Sequence, residues 1–286
     1  MDTSSFEIIL PAYNEEANIA GVIGDIRAAI GVSCRITVID DASTDETAQI
    51  AAASGARVIR HPYRIGNGAG VKTGLRNASA DIVVFMDADG QHSPRHIPLL
   101  LKEMEIFDMV IAARDFRSLS PRNIANRIYN GFASYVTLFK IRDLTCGFRA
   151  VKRKYALKFL YLLPNGFSYP STLTLAFLKA GRAIVYVPVS SVARKAGKSK
   201  INILNDGMRF FVLIIRIATF FSPLRVFVPV SMVFFFSGLA YYLYTYFQFH
   251  RFTNMSALLL TASIIIFMLG LVSEQIAQLR MDRTEE

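Results

Sequence analysis

The chain has 286 residues, 52% of them hydrophobic, and its 32 lysines and arginines outnumber 22 acidic residues for a formal charge of +10. So large an apolar share does not fit one evenly built soluble domain, and the surplus is concentrated at the C-terminus. The two cysteines, Cys34 and Cys146, form no spaced metal-binding set, and a cytoplasmic domain would keep them reduced.

Residues 1 to about 115 alternate strand and helix signals. Residues 6–10 read as a strand closed by Pro11, with an apolar run too short for a signal peptide. Asn14 is placed to cap a helix whose apolar positions Ile19, Val22, Ile23, Ile26 and Ile30 keep helical spacing up to Gly31. Residues 36–39 form a second strand ending at Asp40-Asp41, and Ser43 with Glu46 spells a capping box for the next helix. Further strands are expected at 57–60, 82–86 and 109–113. This order predicts an α/β fold with a doubly wound, mostly parallel sheet.

The run from Val84 to Gln91 carries the most information. An apolar strand ends in Asp87 and Asp89, followed by Gly90. Residues two apart on an extended chain share a side, so both carboxylates can face one point beyond the strand. Two like charges so placed suit a hard divalent cation, at the edge where open α/β sheets bind ligands. His92 is a further possible ligand, although a single His after a turn is more often structural. Asp40 and Asp41 end the neighbouring strand, suited either to accept hydrogen bonds from a ribose or base or to cap a helix.

The glycine-rich run at 64–74 matches neither phosphate-binding fingerprint. Val71 stands before Lys72 where a P-loop needs Gly, and again where a dinucleotide loop needs its third glycine. What remains is a loop feeding a helix whose first turn can meet a phosphate, with Lys72 kept among the donor-binding candidates. Residues 116–200 are less regular, with one more strand expected at 184–189. Segments 143–149 and 194–200 are each able to hold an anion or to be solvated loop.

Residues 201–224 mix Arg209 and Arg216 with many apolar side chains, as an interfacial amphipathic helix does. Residues 226–249 and 252–273 carry no charge, and each is long enough to cross a bilayer, which needs ~20 residues. Only His250 and Arg251 separate them, so they read as a hairpin. Arginines flank its outer ends, which predicts that both termini and everything before residue 226 are cytoplasmic. For a tethered domain, the basic charge before the spans points to anionic head groups or a lipid phosphate rather than nucleic acid.

Taken in order, PAYNEE at 11–16, IDDASTDET at 39–47, GNGAGVKTG at 66–74, MDADGQH at 86–92, DLTCGFRA at 143–150 and RKAGKSK at 194–200 resemble the family 2 glycosyltransferases of the dolichol-phosphate mannose synthase type. The resemblance covers about residues 6–200 and implies a GT-A fold for a domain at 1–200; the apolar pattern adds interfacial helices at 201–225 and a transmembrane hairpin at 226–286, with spans at about 226–249 and 252–275, which fits the subfamily with membrane anchors. The resemblance also implies inverting transfer of one hexose, mannose or glucose, from a GDP- or UDP-sugar such as GDP-mannose or UDP-glucose to a polyprenyl phosphate. By position, Pro11, Tyr13, Glu15, Asp40, Asp41, Lys72 and Asp87 would hold the nucleotide or donor, with Arg194 and Lys200. Asp87, Asp89 and Gln91 would bind Mg²⁺ or Mn²⁺. Arg122 and Arg149 would meet the acceptor phosphate, and Asp89 and Asp143 are the catalytic candidates. Arg149→Ala is expected to cut turnover with lipid phosphate while sparing nucleotide binding. The hairpin is also a potential surface for homo-oligomers.

Departures from the family pattern are Cys146 in place of the usual Ser, and no glutamate near Thr172 after Gly166-Phe167. The chain has no Trp, so it lacks the Gln-x-x-Arg-Trp element of polymer-making synthases. A different lipid acceptor such as diacylglycerol, or a non-catalytic nucleotide-sugar-binding component, are the competing readings.

Overall fold

A computed structural model describes residues 6–31, 34–114, 121–166, 168–189 and 221–282. The expected interfacial segment at 201–220, and Arg194 and Lys200, lie outside these residues.

Among the described residues, seven strands form one sheet in the order β3-β2-β1-β4-β6-β5-β7. They are β1 (Phe6–Ala12), β2 (Arg35–Asp40), β3 (Arg57–Arg60), β4 (Ile82–Phe85), β5 (Met109–Arg114), β6 (Arg149–Lys152) and β7 (Ile184–Val189). Every residue of β1 is buried, as a central strand covered on both faces requires. The helices are α1 (Ile19–Ile30), α2 (Thr47–Ala53), α3 (Asn67–Asn77), α4 (Ile97–Glu103), α5 (Pro121–Thr137), α6 (Arg153–Lys158) and α7 (Tyr169–Lys179). α1 buries Ile19, Val22, Ile23 and Ile26 and stops at Gly31, whose φ of 96° only glycine adopts cheaply.

The sheet is mixed, not uniformly parallel. β6 runs antiparallel to both of its neighbours, β4 and β5. Its start therefore lies at the same edge as the ends of β4 and β5. That reversal delivers the segment before it, 143–148, to the carboxyl edge of the sheet.

Two local expectations are corrected. Asn14 does not cap α1, which begins at Ile19. Its side chain instead accepts Thr44 N at 2.9 Å, and its own N–H donates to Ser43 Oγ at 3.0 Å. Ser43 is thereby used, and no capping box forms at α2. The loops after β1 and β2 are instead stitched together, with Glu15 N donating to Thr47 Oγ1 at 2.8 Å and Glu46 N to Glu16 Oε2 at 3.1 Å. Such cross-links satisfy backbone donors that the helix ends leave open.

The glycine run is a packing device. A Cβ on Gly74 would overlap Ile9 of β1, and one on Gly70 would press on Pro11 Cβ at 3.2 Å, so α3 lies flat on the sheet. Two first-turn amides of α3 are already taken, with Gly68 N donating to Gly166 O at 3.1 Å and Ala69 N to Asn165 O at 2.9 Å. The expectation that this turn meets a phosphate is therefore corrected: the 164–166 loop occupies it.

The chain divides into two compact units, residues 1–131 with 139–206, and residues 132–138 with 207–286. The second unit contains α8 (Leu224–Phe249) and α9 (Asn254–Asp282), which are long and apolar enough to cross a membrane. They are apolar all round, and most of their large side chains face outward, the surface a lipid environment demands. Small residues allow close approach: Gly238 abuts Leu259 and Leu260, Gly270 abuts Phe227, and Ser231 Oγ donates to Ser263 O at 3.0 Å. At the root of α8, Arg225 Nη1 caps Val136 O at 2.5 Å, while Tyr135 Oη donates to Arg225 O at 3.0 Å.

Candidate active site

The parallel register brings the ends of β1, β2 and β4 to one edge. Ala12 pairs with Asp40, the last residue of β2, and Ile9 with Phe85, the last of β4, so Asp40 and the residues after these strands, Tyr13, Glu15, Asp41, Asp87, Asp89 and Gln91, belong to one edge of the sheet. Pro11 is buried within β1 itself. Lys72 lies on α3 and donates to Asn165 Oδ1 at 2.7 Å; burial and the nearby Arg76 charge lower its pKa.

Several nucleotide candidates have internal partners. Asp41 accepts Ile65 N and Gly66 N at 2.9 and 2.8 Å and pairs with His61 Nδ1 at 2.8 Å, so it fixes the loop entering α3. His61 Nε2 continues the chain to Thr73 Oγ1 at 2.9 Å. Asp40 is fully buried; it accepts Ser43 N at 3.1 Å and pairs with Arg60 Nε at 3.1 Å. Tyr13 and Glu15 retain exposed surface. The Arg64 guanidinium covers the Tyr13 ring, 4.1 Å from its centroid.

Asp87 is 36% exposed and stands against His92, Nε2 to Oδ2 at 3.3 Å. Burial would raise its pKa, but the His92 bond and charge, with Arg114 and Arg149, pull it below the ordinary aspartate value. It is thus ionised at neutral pH. Asp89 Oδ1 accepts Gln91 N at 3.1 Å, which closes a tight turn after β4. Among the described residues, no three His, Cys, Asp or Glu side chains converge on one point. Two carboxylates and an amide oxygen still fit a cation that keeps waters and substrate phosphates in its shell, as Mg²⁺ does.

The wall beside Asp87 comes from the reversed strand. Gly147 packs directly on the carboxylate: a Cβ there would lie 2.9 Å from Oδ2. Tyr169 Oη donates to Gly147 O at 3.3 Å, and the His92 and Phe148 rings stack 5.3 Å apart. Burial and the Asp87 charge keep the Tyr169 phenol protonated.

Asp143 is fully buried and forms a two-pronged pair with Arg114, Nε to Oδ2 at 2.7 Å and Nη2 to Oδ1 at 3.0 Å. It also accepts Thr145 N at 3.2 Å. In this arrangement it orients a guanidinium and shows no oxygen to a reacting group. Burial opposes the charge on Arg114, but the Asp143 bond and charge more than offset it, so Arg114 stays cationic. Arg149 lies beneath the site rather than at its opening, wholly buried among Cys146 O, Pro170 O and Thr174 Oγ1. The Arg122 side chain lies outside the described residues. Thr172, at the position of the missing glutamate, is buried in the first turn of α7.

Arg114, Gly147, His61 and Tyr169 were not singled out individually by sequence reasoning. Arg114 had a signal, a charged residue directly after the apolar run Met109 to Ala113. The others depend on long-range pairing.

Comparison with known proteins gives two family matches. A family described as glycosyl transferase family 2 matches residues 7–160, and one described as the GtrB C-terminal hairpin matches residues 222–279. Undecaprenyl-phosphate mannosyltransferase of Micrococcus luteus is 28% identical over 211 residues, 68% of this chain and 86% of that protein. Polyprenol monophosphomannose synthase of Mycolicibacterium smegmatis is 28% identical over 214 residues, 68% of this chain and 80% of that protein. Glucosyl-3-phosphoglycerate synthase from Mycobacterium tuberculosis, solved with Mn²⁺, UDP-glucose and phosphoglyceric acid, superposes with a TM-score of 0.60 over 75% of this chain and 78% of that one, at 25% identity.

Proposed function

We propose, from the premise that this chain belongs to glycosyl transferase family 2, that it is a membrane-anchored enzyme moving one hexose from a GDP- or UDP-sugar to a polyprenyl phosphate. One observation carries the reading: a chain with two carboxylates at the carboxyl end of β4 also ends in an apolar hairpin. Its relatives named for polyprenyl and undecaprenyl phosphates support the acceptor class. Residues 1–200 would carry the chemistry and 226–286 the anchoring. Both termini would be cytoplasmic, as the flanking arginines suggest.

Breaking the anomeric bond develops positive charge on the sugar ring and negative charge on the departing diphosphate. Asp87, Asp89 and Gln91 would hold Mg²⁺ or Mn²⁺, which supplies a Lewis acid for that diphosphate. Asp87 suits this because it is already ionised and its carboxylate is fixed between His92 and Gly147. The acceptor, a phosphate monoester with a second pKa of about 6, is mostly dianionic at neutral pH and needs little general-base help. Asp143 would therefore act by holding Arg114, and Arg114 would stabilise phosphate charge at the end of β5.

The test incubates purified protein in detergent with Mn²⁺ or Mg²⁺, undecaprenyl or dolichyl phosphate, and labelled GDP- and UDP-sugars. Label from one donor entering the organic phase, and lost with EDTA or Asp89→Ala, is the expected result. Metal-dependent nucleotide binding without lipid product would refute the acceptor assignment.

A further inference from the structure

Arg149 is the largest side chain fully shut from solvent among the described residues. The described groups that it hydrogen-bonds are all neutral. Nε and Nη2 donate to Cys146 O, and Nη1 donates to Pro170 O at 2.8 Å and to Thr174 Oγ1 at 2.9 Å, with Met109 Sδ at 3.9 Å. No described carboxylate pairs with it, because Asp143 is committed to Arg114 at 2.7 Å. Burying a charge without a direct counter-ion is expensive, and a neutral side chain of similar volume would cost less. Neutral donors would serve three neutral acceptors. The positive charge therefore acts on groups that it does not touch, the ionised Asp87 carboxylate among them.

Its position fits that role. Antiparallel pairing sets Arg149 opposite Phe85, two residues before Asp87. The segment it grips by Cys146 O continues into Gly147, which rests on the Asp87 carboxylate. The guanidinium thus lies under the edge that would collect a diphosphate and a phosphate monoester, yet has no exposed atom to touch either. We propose that Arg149 is a buried counter-charge, a positioning residue that stabilises the donor's diphosphate through the protein interior without contacting it. This rests on the donor-site reading above. It replaces direct contact with the acceptor, the role the motif alone suggests.

A through-space charge has a signature that a purely structural fork lacks. Removing it should weaken an anion and leave a cation alone equally well bound, or better. One unit charge acting across about 10 Å at an effective dielectric constant near 20 changes affinity roughly tenfold. The experiment uses the full chain in detergent. Mn²⁺ alone is titrated by electron paramagnetic resonance, and UDP and GDP by calorimetry at saturating Mn²⁺. Arg149→Met should bind nucleoside diphosphate about tenfold more weakly while Mn²⁺ alone binds as tightly as before or more so. Arg149→Lys keeps the charge but not the fork and should restore nucleotide affinity to within about threefold. Thr174→Val removes one acceptor and should match the wild type.

Weakening of Mn²⁺ and nucleotide together, without rescue by lysine, would overturn the proposal in favour of a structural fork. So would unchanged nucleotide affinity with a raised KM for polyprenyl phosphate. If Arg149→Met does not fold, the other two variants decide: retained affinity in both supports the proposal, and a loss in either overturns it. A wild-type protein that binds neither UDP nor GDP refutes the donor site itself, and this proposal with it.

Discussion

Gly147→Ala isolates the contact between the reversed strand and the carboxylate. The new methyl carbon would stand 2.9 Å from Oδ2 and 3.1 Å from Oδ1 of Asp87, where ordinary contact begins at 3.4 Å. Something must yield by about half an ångström. The backbone at 147 is held on both sides, by Tyr169 Oη on Gly147 O and by Arg149 on Cys146 O. Asp87 is therefore the group that moves, and in moving it strains its 3.3 Å contact with His92. Catalytic groups must be held within about 0.5 Å of their productive geometry, and a misplacement of about 1 Å can cost ~10²-fold in rate. A displacement half as large should lower kcat/KM by roughly tenfold, or about 1.4 kcal/mol in the transition state. The assay is the initial rate of sugar transfer to lipid phosphate with both substrates below saturation, beside a thermal melt. Gly24→Ala, on the exposed face of α1 with nothing within 4 Å of its Cβ, is the control. A Gly147→Ala enzyme within twofold of wild type would refute the claim that this contact positions Asp87.

Gly74→Ala drives a methyl into Ile9 and should cost about 1–3 kcal/mol in urea unfolding; no loss would mean that α3 stands off the sheet. Arg114→Gln strands the buried Asp143 carboxylate and should destabilise by roughly 3–5 kcal/mol, with Arg114→Gln/Asp143→Asn recovering much of it; equal stability of the single variant and wild type would contradict the pairing. Burial, aided by Glu7 for Cys34 and by Asp143 for Cys146, pushes the two thiols up to about 11 and about 12. At pH 8 only about one in 10³ and one in 10⁴ would be thiolate, so native protein should resist iodoacetamide and take two labels once unfolded; rapid native labelling would overturn that.

Much of the architecture was readable because it is local. The strand–helix alternation placed β1 to β5 and β7, the Asp-x-Asp at the end of an apolar run marked the edge of β4, and two uncharged runs marked α8 and α9. β6 was not readable. Its four residues contain Arg149 and Lys152 and look polar, because their burial comes from insertion between strands distant in sequence. The same non-local pairing hid Gly147 and the role of Arg114. The glycine run misled for a related reason: its spacing resembles a phosphate loop, but the glycines are small because Ile9, Pro11 and the 164–166 loop approach them. Asn14 and Ser43 were read as helix caps since their local sequence permits it, while the fold offered each the other's loop as a better partner.

The place of β6 in the sheet also dictates an order of assembly during synthesis. β4 pairs with β1 on one side, so β3, β2, β1 and β4 can unite as soon as residue 85 has left the ribosome. The other margin of β4 then waits, with Val83 to Phe85 bare, until residues 149–152 arrive more than sixty positions later. A naked apolar margin of this kind invites pairing with other chains. β5 cannot fill it correctly, because among the described residues its partners in the finished sheet are β6 and β7. Nascent chains whose emerged part ends between residues 90 and 148 should therefore be more aggregation-prone than those from which both β6 and β7 have emerged.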